Sequence, residues 1–135
     1  QRRHATLLKV HVYDGGYWTP LSHRASRLPS TMILSDSHRK VLREIDVFFA
    51  SKATYAALGV PWRRGYLLSG PPGTGKSSFV SVVAGLHRAP LYLVSLRDPS
   101  LTDAALLIAV NSVPSGSIVV LEDIDTLNTF SKDAW

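Results

Sequence analysis

The chain has 135 residues, 45% of them apolar, no cysteine, a formal net charge of +5 and a mean hydropathy near zero. That size and composition suit one globular domain, or part of a larger one, and exclude bulk disorder. Disulfides and thiolate metal sites are ruled out, and no apolar run reaches the ~18 residues that a membrane-spanning helix needs. The charge is uneven, since residues 1–64 hold eleven of the fifteen Lys and Arg but four of the ten acids. These basic residues are scattered and follow no nucleic-acid-binding motif, so a solvated basic face is expected. No signal or transit segment is recognisable. The chain opens on Gln1 rather than Met, so its true start is expected elsewhere.

Leu8 to Val12 alternates apolar and polar residues, the period of a half-buried strand, and Asp14-Gly15-Gly16 is a turn signal after it. A β-hairpin or strand corner is expected, with Tyr17 and Trp18 packed on it. Thr19 to Ser30 has little periodicity and reads as a linker, which places a module boundary near Ser30. Thr31 to Leu34 is a short extended piece, with Ser35 or Asp36 as the cap of a following helix. Val41, Leu42, Ile45, Phe48 and Phe49 recur at helical spacing over about four turns. A second helix is expected from Lys52 to Leu58, capped by Ser51 and ended by Gly59 and Pro61.

Trp62 to Gly65 leads into the apolar run Tyr66 to Leu68, which reads as a buried strand. A helix follows from near Lys76 to Ala84, with Gly85 as its expected C-terminal cap. Pro90 precedes a second buried strand, Leu91 to Val94. Ser100 is the expected cap of a helix carrying Leu106, Leu107 and Val110, which Pro114 stops. Ser117 to Leu121 is a third strand. Strands alternating with helices predict a parallel sheet in an α/β fold.

Between the first strand and its helix stand Gly70, Pro71, Pro72, Gly73, Thr74, Gly75, Lys76 and Ser77, a complete P-loop pattern of G-x-x-x-x-G-K-[ST]. Average residue usage predicts about one chance match in a few hundred chains of this length. The glycines let backbone N–H groups approach a polyanion closely, and the helix start adds its positive dipole end. Lys76 would reach the β and γ phosphates, and the Ser77 hydroxyl would ligate Mg2+. The third strand runs into Glu122-Asp123-Ile124-Asp125, at the carboxyl end where parallel sheets place their ligands. This has the form of a Walker B site, with one acid in the Mg2+ shell and the next polarising the attacking water.

The P-loop, the apolar run and the acid pair together resemble an AAA ATPase. Finer features resemble one branch of it, the Bcs-type mitochondrial AAA chaperones: Gly59-Val-Pro-Trp-Arg-Arg-Gly-Tyr-Leu-Leu68, Ser77-Ser-Phe79, the Ser-Leu-rich connection from Leu96 to Asp103, and Leu121-Glu-Asp-Ile-Asp125. The resemblance implies a P-loop NTPase sheet forming the N-terminal part of an AAA module over 31–135. It makes residues 1–30 the end of a β-rich middle domain plus linker. It also implies ATP and Mg2+ as cofactors, with Gly70 to Ser78 on the nucleotide and Gly59 and Val60 at the adenine. By position, Glu122 would take the Mg2+ role and Asp123 the water-activating one, an order reversed from most AAA proteins. The implied partners are a homo-oligomeric ring and a folded cargo, the Rieske iron-sulfur protein, at the mitochondrial inner membrane. Nucleic acid is not among them, and membrane contact would come only through segments outside this chain.

Two other functions are compatible with the P-loop: an ATPase acting on nucleic acid, of clamp-loader or helicase-loader type, and a nucleotide-binding scaffold without turnover. AAA proteins that thread unfolded polypeptide carry an aromatic residue in the loop after the second strand, and Ser95 to Thr102 has none. Folded cargo is therefore expected. In the AAA sheet the first strand lies between the fourth and fifth, which would come after Trp135. Residues 1–135 alone are expected to be at best partly folded and not to hydrolyse ATP, because unpaired buried backbone groups cost about 1–3 kcal/mol each.

Overall fold

A computed structural model describes residues 7–21, 24–25, 34–66 and 76–122. Two compact units are present: a helical one within Ser26–His87 and a sheet unit within Leu7–Ala25 and Arg88–Trp135.

The sheet unit is built on four strands in the order β3-β2-β5-β6, with β2 at Val10–Asp14, β3 at Tyr17–Pro20, β5 at Leu91–Ser95 and β6 at Ile118–Glu122. The expected hairpin forms, with Tyr13 opposite Trp18 and Asp14 opposite Tyr17. Its two loop residues, Gly15 and Gly16, have φ of +57° and +96°. Two successive left-handed positions match the twist of the flanking strands, and only glycine adopts both at little cost. β2 then runs parallel to β5, with Val10 opposite Leu91, and β5 runs parallel to β6, with Ser95 opposite Glu122. A separate two-residue ladder pairs β1, Leu7–Leu8, with β4, Arg24–Ala25.

The structure differs from the reading of Thr19 to Ser30 as linker, because β3 extends through Pro20 and Leu21 N–H donates to Val10 O at 2.8 Å. Among the described strands β3 is an edge, where proline's missing N–H removes no ladder bond. One face of the sheet is covered by α4, Asp103–Asn111, through a core of Tyr13, Val94 and Ala109. Trp18, Leu96, Leu101 and Leu106 pack around that core. Trp18 meets Tyr13 and Tyr92 edge to face, at centroid distances of 5.7 and 5.0 Å. Its neighbour Tyr17 is 76% exposed, so of the two aromatic residues expected to pack, one does.

α4 starts later than expected. Thr102 is its cap, accepting from Ala105 N–H at 3.0 Å. Ser100 instead donates its hydroxyl and its amide to Asp98, at 2.7 and 2.9 Å, in a turn ahead of the helix.

In the helical unit, α1 spans Asp36–Phe49 and Ser35 caps it. Ser35 Oγ accepts from His38 N–H at 3.2 Å while His38 Nδ1 accepts from Ser35 N–H at 3.1 Å, so the box is closed by histidine. Ile45 is buried, and Val41, Leu42, Phe48 and Phe49 are half-buried, as their spacing predicts.

α2, Lys52–Ala57, is one turn and a half. Ser51 does not cap it through its side chain, since its hydroxyl donates back to Val47 O. α2 ends as expected: Gly59 takes φ +68°, Gly59 N–H donates to Ala56 O and Val60 N–H to Tyr55 O, the pair of bonds of a glycine-terminated helix. Trp62 stacks on Phe48 at 5.2 Å and donates from its indole to Phe48 O at 2.9 Å, which ties the chain after α2 back to α1.

α3 spans Lys76–His87 and buries Phe79, Val82, Val83 and Ala84. It passes through Gly85, the expected stop, and the left-handed residue beyond it is Arg88, with φ +52°. Helical glycine costs about 1 kcal/mol relative to alanine. The last turn is held by His87, whose ring stacks on Phe49 at 4.2 Å and whose Nε2 lies 2.9 Å from Asp46 Oδ1. The two atoms are in close contact but lack the alignment of a hydrogen bond. Among the described residues no helix is long and apolar enough to cross a membrane.

Candidate functional site

Of the P-loop, Gly70 to Gly75 lie outside the described residues. Lys76 and Ser77 are the first two residues of α3, so the last two positions of the pattern lie in the first helical turn. The backbone N–H groups of that turn have no partner within the helix and carry its positive partial charge, which suits a phosphate. Ser78 is half-buried beside them, and Phe79 is buried against the His38 ring at 5.0 Å. The register of α3 is thereby set by an apolar residue three positions after the lysine.

The approach to the P-loop is the segment Gly59 to Tyr66. Gly59 is exposed and left-handed, and Val60 is about half exposed, as an apolar surface for a ligand would be. Tyr66 was expected to open a strand and has no regular secondary structure; Leu67 and Leu68 lie outside the described residues. The Tyr66 hydroxyl donates to Glu44 Oε1 at 3.2 Å, and Arg64 Nη2 approaches the same oxygen at 3.1 Å. Burial pushes the Tyr66 phenol above its ordinary range; the Arg64 charge opposes this and the Glu44 carboxylate reinforces it. In the sequence Glu44 is one of the charged residues that fall off the apolar spacing of α1. Its partners are 20 and 22 positions away, beyond any local pattern.

In the sheet unit, Glu122 ends β6 and is exposed, with its carbonyl accepting from Leu96 N–H at 3.0 Å. Because β5 and β6 are parallel and in register, Ser95 and Glu122 finish side by side at the carboxyl edge of the sheet. This is the edge at which open α/β sheets present ligand-binding groups. Asp123 and Asp125 lie outside the described residues. The connection after β5 is a compact turn in which Asp98 accepts from Ser100; the Ser100 hydroxyl, and then its backbone N–H, hold the Asp98 carboxyl below its ordinary range.

Residues 66–134, just over half of the chain, match the family described as ATPase family associated with various cellular activities (AAA). The chain belongs to the AAA family. The matched segment begins at Tyr66 and takes in the P-loop, α3, β5, α4 and β6, so the glycine pattern and the Glu122 strand end fall inside one AAA region. The AAA chain is also similar to the mitochondrial chaperone BCS1 of Homo sapiens and of Bos taurus, at 38% identity over 118 residues in each case. Those residues are 86% of this chain and 28% of each relative. It is 37% identical over 129 residues to the probable mitochondrial chaperone BCS1-A of Dictyostelium discoideum, covering 95% of this chain and 31% of the relative. The AAA chain thus spans between a quarter and a third of the length of these relatives, and the likeness extends to the residues before the AAA match.

Proposed function

We propose that this chain is the nucleotide-binding part of an ATP-hydrolysing chaperone subunit that works in a homo-oligomeric ring on folded protein cargo. The observation that carries the reading is the P-loop pattern of an AAA-matched segment, with Lys76 and Ser77 in the first turn of α3. Lys76 and the glycine-loop amides hold the triphosphate of ATP, Ser77 and Glu122 hold Mg2+, and Asp123 orients the attacking water. Gly59 and Val60 supply an apolar seat for the adenine. When bound, Mg2+ neutralises charge on the transferring phosphoryl group.

Support for a chaperone role comes from the similarity to proteins named mitochondrial chaperone BCS1, which also favours a mitochondrial setting. Folded cargo, with a Rieske-type iron-sulfur protein at the inner membrane as the instance, is favoured by the resemblance and by the absence of any aromatic side chain from Ser95 to Thr102. Nucleotide titration of the full-length protein tests the core of the reading. Lys76→Ala removes the mobile cation that faces a highly charged ligand, so most ATP affinity is expected to disappear. Affinity unchanged by Lys76→Ala would refute the P-loop assignment.

A further inference from the structure

The helical unit attaches both flanks of the P-loop to one helix. On the upstream side, α1 holds Arg64 and Tyr66 through a single carboxylate oxygen, Glu44 Oε1, at 3.1 and 3.2 Å. The Arg64 guanidinium also lies over the Tyr66 ring, 5.1 Å from its centroid, so the three side chains form a closed set. On the downstream side, α1 holds α3 at two points: His38 stacks on Phe79, and Asp46 with Phe49 engages His87. Glu44 therefore sits on α1 between the two α3 contacts in sequence and supplies the grip on the other flank.

We propose that Glu44 is a positioning residue for nucleotide binding: it fixes Arg64 and Tyr66, six and four residues before Gly70, relative to the helix that begins at Lys76. The proposal rests on the reading of Gly70 to Ser77 as an ATP site. The physical reason is preorganisation. A phosphate-binding loop needs its amides converged before the ligand arrives, and a loop whose two ends are held on one rigid helix loses less freedom on binding. An exposed surface ion pair contributes little by itself. Here a single oxygen takes one charged and one phenolic donor, so removing its charge loosens both groups at once.

Glu44 touches no nucleotide in this scheme. Its loss weakens ground-state and transition-state binding alike, which raises KM for ATP and leaves kcat near its original value.

The test uses the full-length protein, a fluorescent ATP analogue for affinity, and steady-state ATPase assays. Glu44→Gln keeps the side-chain shape and removes the charge; Tyr66→Phe removes one hydroxyl; the double variant tests their coupling; Lys76→Ala is the control. Each single variant is expected to weaken analogue binding by a factor of about five, and the double variant to be no weaker than the worse single. KM for ATP should rise in step while kcat stays within about twofold. If Lys76→Ala abolishes binding but neither Glu44→Gln nor Tyr66→Phe changes it, the proposal is overturned and the ATP-site reading stands. Independent, multiplying effects of the two single variants would also overturn it, because they would show that the residues do not act through one shared oxygen. If Lys76→Ala leaves binding intact, the ATP-site reading itself is lost. Should Glu44→Gln fold poorly, Tyr66→Phe alone decides, since it deletes a single oxygen atom.

Discussion

The indole Nε1 of Trp18 donates to the carbonyl of Ala109, at 3.3 Å and 91 positions further along the chain. The same N–H reaches Ser112 Oγ at 3.0 Å, while the Ser112 hydroxyl donates to the Ala109 carbonyl at 2.7 Å. An edge strand of the hairpin is thereby fastened to the last turn of α4. Trp18→Phe should cost only about 1 kcal/mol, because the Ala109 carbonyl keeps its bond from Ser112 and is not left without a partner. Trp18→Ala, which also empties the space beside Tyr13 and Tyr92, should cost roughly 3 kcal/mol. Tyr17→Ala, at the exposed neighbouring position, should stay within about 0.5 kcal/mol. Denaturant midpoints of the three variants check the ranking.

Gly59 gives a second stability prediction. A Cβ built there meets nothing within 4 Å, so space is not the constraint; the φ of +68° is. Gly59→Ala should destabilise by about 1–2 kcal/mol, and Gly59→Asn by less, since asparagine tolerates the left-handed region. Equal midpoints for the alanine and glycine proteins would show that the turn after α2 is not held in this conformation.

Two hydrogen-bonded groups predict opposite pH responses. Tyr66 has its pKa raised above the ordinary 10.0, first by burial. Its neutral form is the one the fold favours, so its contribution is complete below pH 10 and lost as pH rises through the raised value. The stability gap between the wild-type protein and Tyr66→Phe should hold below pH 10 and narrow as the pH rises above it in denaturant titrations.

Asp98 behaves in the reverse sense. The Ser100 hydroxyl, and secondly the Ser100 backbone N–H, lower its pKa below the ordinary 3.8. Its contribution is present above that value and is lost as pH falls through the lowered one. Ser100→Ala removes the larger cause and keeps the backbone bond, so the Asp98 carboxyl should titrate higher but not fully at the ordinary value. Carboxyl NMR titration of the folded protein reads this directly.

The proposed roles of Glu122, the last residue of β6, and of Asp123 are tested by separating binding from turnover. On the proposed roles, Asp123→Asn in the full-length protein should leave ATP affinity intact and reduce turnover, because it keeps the shape and removes the carboxylate proposed to orient water. Glu122→Gln should instead weaken the dependence of ATP binding on Mg2+. Turnover abolished by Glu122→Gln and spared by Asp123→Asn would reverse the two roles.

What the sequence determined by itself was whatever is decided between near neighbours. The P-loop is legible because its glycines, lysine and hydroxyl are constrained within eight consecutive residues. The turn at Gly15-Gly16, the amphipathic α1 and the apolar runs of β5 and β6 are set by adjacent dihedrals and short periods, and all formed where expected.

Only the tertiary structure decided which segments meet. The alternation from Leu8 to Val12 says that a strand is half-buried, but the parallel partner of β2, β5, begins at Leu91, opposite Val10. One helix end moved for the same reason: α3 runs past Gly85 to His87, whose ring meets Asp46 and Phe49. Glu44, one more charged residue on α1 in the sequence, becomes a shared anchor once Arg64 and Tyr66 fold back to it. A backbone preference of a few tenths to one kcal/mol places an element only until a side chain from a distant segment supplies a comparable or larger interaction.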